Sequence, residues 1–410
     1  MTIEARGQRT WLMPGVRPVP GRIRSKLEDF QVEEIPSYLP VGTGRHVFFR
    51  VRKRGLPTLE AVERIAGALG CPARSVGYAG LKDARAVTEQ TMSVEGANPE
   101  ELLSLDVDAI DVLWAERHVN KLRIGHLRGN RFTLRVRGIP FGRMGDVERT
   151  LAALRRRGLP NRYGPQRFGR EGQGGELGRL LIAGEWRAFL DAYVDQPFPR
   201  GLPGVLETVR KAWASGEWAV CAKRAHSVHR QLRGVLRVMA ASRGDAEQAV
   251  RAVPRRFLQL YVSAYQSRAF NAVLDARGET YDQLMDGDLA WRHTNGSVFL
   301  VQEPLREARR LASQRISPSG PVPGWRMTRP AGDARILEDR TLEEAGVTLL
   351  SFRGTGLGLA QKGARRPLRV PVADLRHRYE DGVLTLTFDL PKGSYATCVL
   401  EEFLKNPNLR

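Results

Sequence analysis

Asp83 stands in the stretch Val76–Gln90, which reads VGYAGLKDARAVTEQ. Gly77 and Gly80 bracket a short Gly-x-x-Gly run, and Lys82 directly precedes the aspartate. That spacing predicts a bend, so Asp83 falls in a tight turn just after a predicted helix. A carboxylate placed there in a strongly basic chain is a candidate nucleophile or general base, because a nearby cation keeps it ionised. The same aspartate also suits a plain turn, where its side chain bonds local amides. Residue type alone leaves both roles open.

Other chemistries find less support. Cys71, Cys221 and Cys398 are far apart, show no CxxC spacing and are odd in number. That pattern argues against a disulfide framework or a structural zinc and points to a reducing cytoplasm. His226 and His229 sit at i,i+3 in a predicted helix without a carboxylate or cysteine at a ligand spacing, so solvated or capping roles are expected. The run GLGLAQKG, Gly356–Gly363, lacks the spacing and the Ser/Thr after lysine that a phosphate loop needs, and is expected to be a surface loop. No Ser-His-Asp order and no paired-carboxylate spacing stands out.

The elements around Asp83 are legible from periodicity. Val47, Phe49 and Val51 alternate through HVFFRVRK, which predicts a strand over His46–Lys53. TLEAVERIAGALG predicts a helix over Thr58–Gly70, with Thr58 as N-cap and Leu59, Val62, Ile65, Ala66 and Leu69 as its apolar stripe. RFTLRVRG alternates again: Phe132, Leu134 and Val136 face a core, while Arg131, Thr133, Arg135 and Arg137 face the other way. A helix is expected over Asp146–Pro160, where Gly158 and Pro160 stop it. Roughly 186 to 275 reads as helical, and roughly 280 to 370 is rich in Gly and Pro with short strand-like runs. Near the end, Leu384, Leu386, Phe388 and Leu390 restore a strand pattern.

The chain has 410 residues, 42% of them hydrophobic and 27% charged, enough for two or three ordinary globular domains. No run is long and apolar enough for a membrane span, and the start has no secretory h-region. Sixty-five Lys and Arg against 45 Asp and Glu leave a net charge of +20. Such a field favours a polyanion, and nucleic acid is the commonest one; a GC-rich genome, which multiplies Arg everywhere, would produce the same composition. Arg117–Arg137 carries seven Arg or Lys and no acid. Like charges repeated on one strand face repel, so Arg131, Arg135 and Arg137 are expected to meet an anion and to contact RNA.

VGYAGLKDARAVTEQ resembles the signature of the TruD family of tRNA pseudouridine synthases, roughly GYAGxKDxxAVTxQ. EDFQVEEIP (Glu28–Pro36), NRYGPQRFG (Asn161–Gly169), AYQSRAFN (Ala264–Asn271) and FDLPKGSYATCVLEEFL resemble further family elements in the family's order, over about residues 24 to 405. The resemblance implies an α+β pseudouridine synthase domain with a mostly antiparallel mixed sheet, plus an inserted family-specific α/β domain. Residues 1–185 and 371–410 would form the catalytic domain and 186–370 the insertion. It implies an isomerase that needs no cofactor, since uridine and pseudouridine are isomers. tRNA would be its partner, isomerised at uridine 13, with no membrane, metal or obligate protein partner, in the cytoplasm. By the same resemblance Asp83 matches the catalytic aspartate and Arg24 a basic residue that pairs with it. Phe30, Asn161 and Tyr395 match the uridine pocket. Tyr163 falls where the family usually has a base-stacking Phe. Lys82 is expected as a phosphate or network contact. The same reaction at another RNA site, and a non-catalytic RNA-binding or chaperone protein of this fold, are the alternatives.

Overall fold

The computed structural model describes residues 9–169, 172–196, 198, 204–354, 356–407 and 409. They divide into two compact units. One comprises Trp11–Asn161 with Val370–Pro407, and the other is built on Arg162–Arg369.

An eight-stranded sheet organises the first unit. Its N-terminal strands are β1 (Phe30–Pro36), β2 (His46–Arg54), β3 (Gly77–Tyr78), β4 (Val87–Glu95), β5 (Ile110–His118) and β6 (Leu127–Arg137). The C-terminal segment returns two more, Ala373–Glu380 and Val383–Pro391. The order is Ala373–Glu380, Val383–Pro391, β6, β1, β4, β2, β5, with β3 added to β4. β1 and β4 run parallel, and the other described pairs of this sheet are antiparallel. The sheet is thus mixed and mostly antiparallel, as anticipated.

Alternation builds β6 as expected: Phe132, Leu134 and Val136 are buried, and the arginines between them are not. β2 is covered on both faces. Val47, Phe49 and Val51 meet α1 (Thr58–Ala68), while Phe48 packs with Ala79, Leu122 and Leu127 on the opposite side. The α1 stripe differs in one place. Leu59 is exposed, whereas Val62, Ile65 and Ala66 of the same stripe are buried.

In the second unit, helices run through Trp186–Val194, Val205–Ala214, Trp218–Arg224, Arg230–Ala241, Ala246–Arg251 and Arg255–Arg277. His229 caps one of them, accepting the Gln231 amide at its N-terminus. A four-stranded sheet follows, in the order Ala364–Pro367, Ile316–Val322, Leu289–Arg292, Val298–Leu300. The boundary of this unit falls between Asn161 and Arg162, not near 185. The helix Gly174–Ala183 explains the difference. It lies so close to Arg255–Arg277 that a Cβ on Gly178 would collide with the Tyr261 carbonyl, so it shares that unit's core.

Candidate active site

The segment from Ala79 to Ala86 links β3 to β4 without regular secondary structure, yet its backbone is held from several sides. The Ala79 carbonyl accepts the Gly125 amide at 2.8 Å, and the Ala86 carbonyl accepts the Gly55 amide at 3.1 Å. The Gly80 carbonyl accepts Gln90 Nε2 at 3.2 Å, and the Lys82 amide donates to Thr58 Oγ1 at 2.8 Å. Thr58 Oγ1 in turn donates to Gln90 Oε1 at 2.9 Å. Thr58 is therefore not the N-cap of α1; that place belongs to Pro57. Its hydroxyl faces inward and ties α1 to the Asp83 segment. Gly77 is required at the entrance, since a Cβ there would collide with the Leu122 carbonyl.

This frame presents the Asp83 carboxylate to Arg24. Arg24 Nη2 donates to Asp83 Oδ2 at 2.9 Å, with the arginine side chain 12% exposed and the aspartate 46% exposed. Among the described residues Asp83 Oδ1 has no protein donor. Arg24 Nη1 also reaches the Arg85 carbonyl at 3.5 Å. The Arg24 guanidinium lies 4.0 Å above the Phe30 ring, a cation–π contact that fixes its plane. Arg24 takes a positive φ of 54°, an uncommon conformation for a long side chain and one that clusters at functional sites. Arg24 and Phe30 come from one short segment, and the fold brings Asp83, 59 positions from Arg24, to meet them.

Lys82 lies inside a buried ion pair. Its Nζ donates to Glu34 Oε2 at 2.7 Å, and the two side chains are 4% and 1% exposed. Buried in that pair, it is not displayed to a phosphate backbone; of its two expected roles the network contact is the one seen. Glu34 Oε1 also accepts the Thr91 amide at 3.2 Å, so β1, β4 and the Asp83 segment meet at one carboxylate. Lys53, which sequence reasoning missed, is buried beside them and donates to the Leu56 carbonyl and, at 3.5 Å, to the Asp83 carbonyl. Burial pushes its pKa down to about 8, with Asp83 opposing that shift and Lys82 adding to it. The parity of β2 contained the signal: Lys53 continues the inward series Val47, Phe49, Val51.

Asn161 is buried, and its Oδ1 accepts the Ser394 hydroxyl at 3.3 Å. Ser394 precedes Tyr395, which stands at the N-cap of Ala396–Leu404. The two expected pocket residues are therefore neighbours through that loop. Tyr163 belongs to the second unit. Its amide donates to Asn271 Oδ1 at 2.9 Å, and Asn271 Nδ2 returns a bond to its carbonyl at 3.0 Å. Its ring meets the edge of Phe270 at 5.5 Å, and the Arg366 guanidinium lies 4.2 Å from its centroid.

Of the three β6 arginines expected to meet an anion, Arg131 and Arg137 do so, on carboxylates of the chain itself. Arg131 forks onto Asp389 at 2.7 and 2.9 Å and reaches Asp374 at 3.3 Å. Arg137 forks onto buried Asp29 at 2.6 to 3.1 Å. Arg135 donates to the Glu28 carbonyl at 3.0 Å. Carboxylates on neighbouring segments thus offset the charge of Arg131 and Arg137, while Arg135 meets only a backbone carbonyl.

A profile of the family described as tRNA pseudouridine synthase D (TruD) matches residues 8–403. The chain belongs to the TruD family. It is 44% identical over 399 residues to the tRNA pseudouridine synthase D of Geobacter metallireducens, covering 97% of this chain and 98% of that one. The Geobacter sulfurreducens protein of the same name is 43% identical over 392 residues, with 94% of each chain covered. A crystal structure of the putative tRNA pseudouridine synthase D (TruD) from Methanosarcina mazei matches with a TM-score of 0.80 at 25% identity, over 98% of both chains. That likeness agrees with the mixed α+β fold. As a TruD-family member the chain is an isomerase of the pseudouridine synthase class. For such an enzyme the half-exposed carboxylate of Asp83, oriented through one oxygen and open at the other, is chemically apt.

Proposed function

We propose that this chain isomerises uridine 13 of tRNA to pseudouridine, with Asp83 as the carboxylate acting on the ribose of a flipped-out uridine. The observation that carries this reading is the Asp83–Arg24 pair at 2.9 Å, stacked on Phe30. The reaction breaks the N1–C1′ bond and forms C5–C1′; the proton lost from C5 is balanced by one gained at N1. No electrons change hands. The base must first leave its stack to be reached. Arg24 holds Asp83 Oδ2, which leaves Oδ1 to act on the sugar, either as nucleophile or as proton acceptor. Phe30, Asn161 and Tyr395 are assigned to the uridine pocket on the resemblance, and Tyr163 to base stacking on the same ground. In this reading the Trp11–Asn161 and Val370–Pro407 unit is the catalytic domain and the Arg162–Arg369 unit the family insertion. The working compartment is the cytoplasm.

An unmodified tRNA transcript with uridine at position 13 tests the proposal. After incubation with wild-type protein, a pseudouridine-specific adduct should appear at position 13; with Asp83→Asn it should not, while RNA affinity stays within a few-fold. Adducts only at another position would keep the chemistry and move the site. No adduct anywhere would favour the non-catalytic RNA-binding alternative.

A further inference from the structure

With Arg131 and Arg137 paired to carboxylates, the free basic charge of this region lies elsewhere. Arg117, Arg123 and Arg128 are exposed, and among the described residues none of them has a carboxylate within ion-pair reach. Arg123 and Arg128 flank the turn between β5 and β6, and beside Arg123 stands Ile124, 76% exposed. A lone exposed apolar side chain is ordinary. This one is set apart by how firmly its turn is held and by what holds it.

The Gly125 amide donates to the Ala79 carbonyl at 2.8 Å, so the turn is bonded to the start of the Asp83 segment. The Gly125 carbonyl accepts Lys392 Nζ at 3.0 Å, and the Lys392 amide donates to the Arg128 carbonyl at 3.1 Å. Lys392 belongs to the loop that carries Tyr395. Leu122, whose amide donates to Ser93 Oγ at 2.9 Å, is buried below with Leu127, Phe48 and Ala79. The turn is thus clamped between the two segments that bear Asp83 and Tyr395. A surface ordered at folding need not be ordered again on binding.

We propose that this turn is an RNA-contacting element of the enzyme: Arg123 and Arg128 pair with phosphates of the strand entering the site, and Ile124 packs against the bases beside the flipped-out uridine. The proposal rests on the pseudouridine synthase reading. Extruding a base exposes the faces of its neighbours, and an apolar side chain fills such a gap without demanding a sequence. Guanidinium groups on either side supply the charge that holds the backbone in register.

The test uses the full chain and an unmodified tRNA transcript with uridine at position 13. Affinity is measured across a KCl series for wild type, for the Arg123→Ser/Arg128→Ser double variant and for Ile124→Ala, with thermal midpoints as the folding control. Each phosphate contact contributes about 0.7–0.9 to the slope of log affinity against log salt. The double variant should therefore flatten that slope by about 1.4–1.8. Ile124→Ala should keep the wild-type slope but lose roughly tenfold in kcat/KM, the scale of a lost base–side-chain contact. An unchanged slope in the double variant, or unchanged kcat/KM in Ile124→Ala, overturns the proposal. If wild type forms no pseudouridine at all, the enzymatic reading fails instead, and the salt series still reports whether this turn touches RNA.

Discussion

Lys82 Nζ and Glu34 Oε2 meet at 2.7 Å with almost no exposure, directly beside the half-exposed Asp83. A buried pair of this kind adds little net stability, but loss of one partner strands the other charge at a cost of about 3–5 kcal/mol. Glu34→Ala or Lys82→Met should lower the unfolding free energy by about that amount in urea titrations. The Glu34→Leu/Lys82→Met double variant should recover most of the stability but not the turnover, because the Asp83 segment loses its tie to β1. Recovery of both would make the pair a packing device only.

Arg24 orients Asp83 and is itself steadied by Phe30. Arg24→Ala should reduce kcat by at least a hundredfold, on the order of the 2–4 kcal/mol lost when a preorganised charged donor is removed. Arg24→Lys should keep part of the activity, since it retains charge but not the planar fork that stacks on Phe30. Single-turnover rates at saturating enzyme separate this effect from binding. A fully active Arg24→Ala enzyme would remove the pair from the chemistry.

Tyr163 tests ring against hydroxyl. Base–aromatic stacking is worth about 1–3 kcal/mol on truncation, so Tyr163→Leu should lose about ten- to a hundredfold in kcat/KM. Tyr163→Phe should stay near wild type and keep the edge contact with Phe270 and the Arg366 contact. Phe as damaging as Leu would assign a proton-transfer role to the hydroxyl. A large fall in thermal midpoint for Leu with little loss of rate would make the ring a core residue.

Lys53 predicts an unusual stability profile. Burial first, then Lys82, depress its pKa from 10.5 to about 8 against the opposing pull of Asp83. Between those values the unfolded chain holds a proton that the folded chain has released, so stability rises with pH across that window. Below it, the cost of burying the ammonium is present in full. The unfolding free energy of wild type relative to Lys53→Met should therefore be flat from about pH 6 to 7.5 and climb towards about pH 10. A flat difference throughout would mean that Lys53 titrates in the fold as it does in the open chain.

Local periodicity determined much of this protein. The inward series of β6, the α1 helix, the helical stretch from 186 and the final strand pattern follow from residues a few positions apart, whose burial is set by strand and helix geometry. The motif around Asp83, with its relatives in order along the chain, pointed to the family and to the Asp83–Arg24 pair. What the tertiary structure alone decided is where each charge finds its counter-charge. Arg131 pairs with Asp389 across 258 positions, Arg137 with Asp29 across 108, and Lys82 with Glu34 across 48. The strand pattern that placed the arginines on one face carries no record of which segments will lie over that face. Charges act through space, and sheet order, not chain order, sets those distances. For that reason the sequence placed Arg131 and Arg137 against RNA and left Lys82 between a phosphate and a network contact, while the fold pairs all three with carboxylates of the chain and leaves Arg123, Ile124 and Arg128 exposed at and beside a turn fastened to the Asp83 segment.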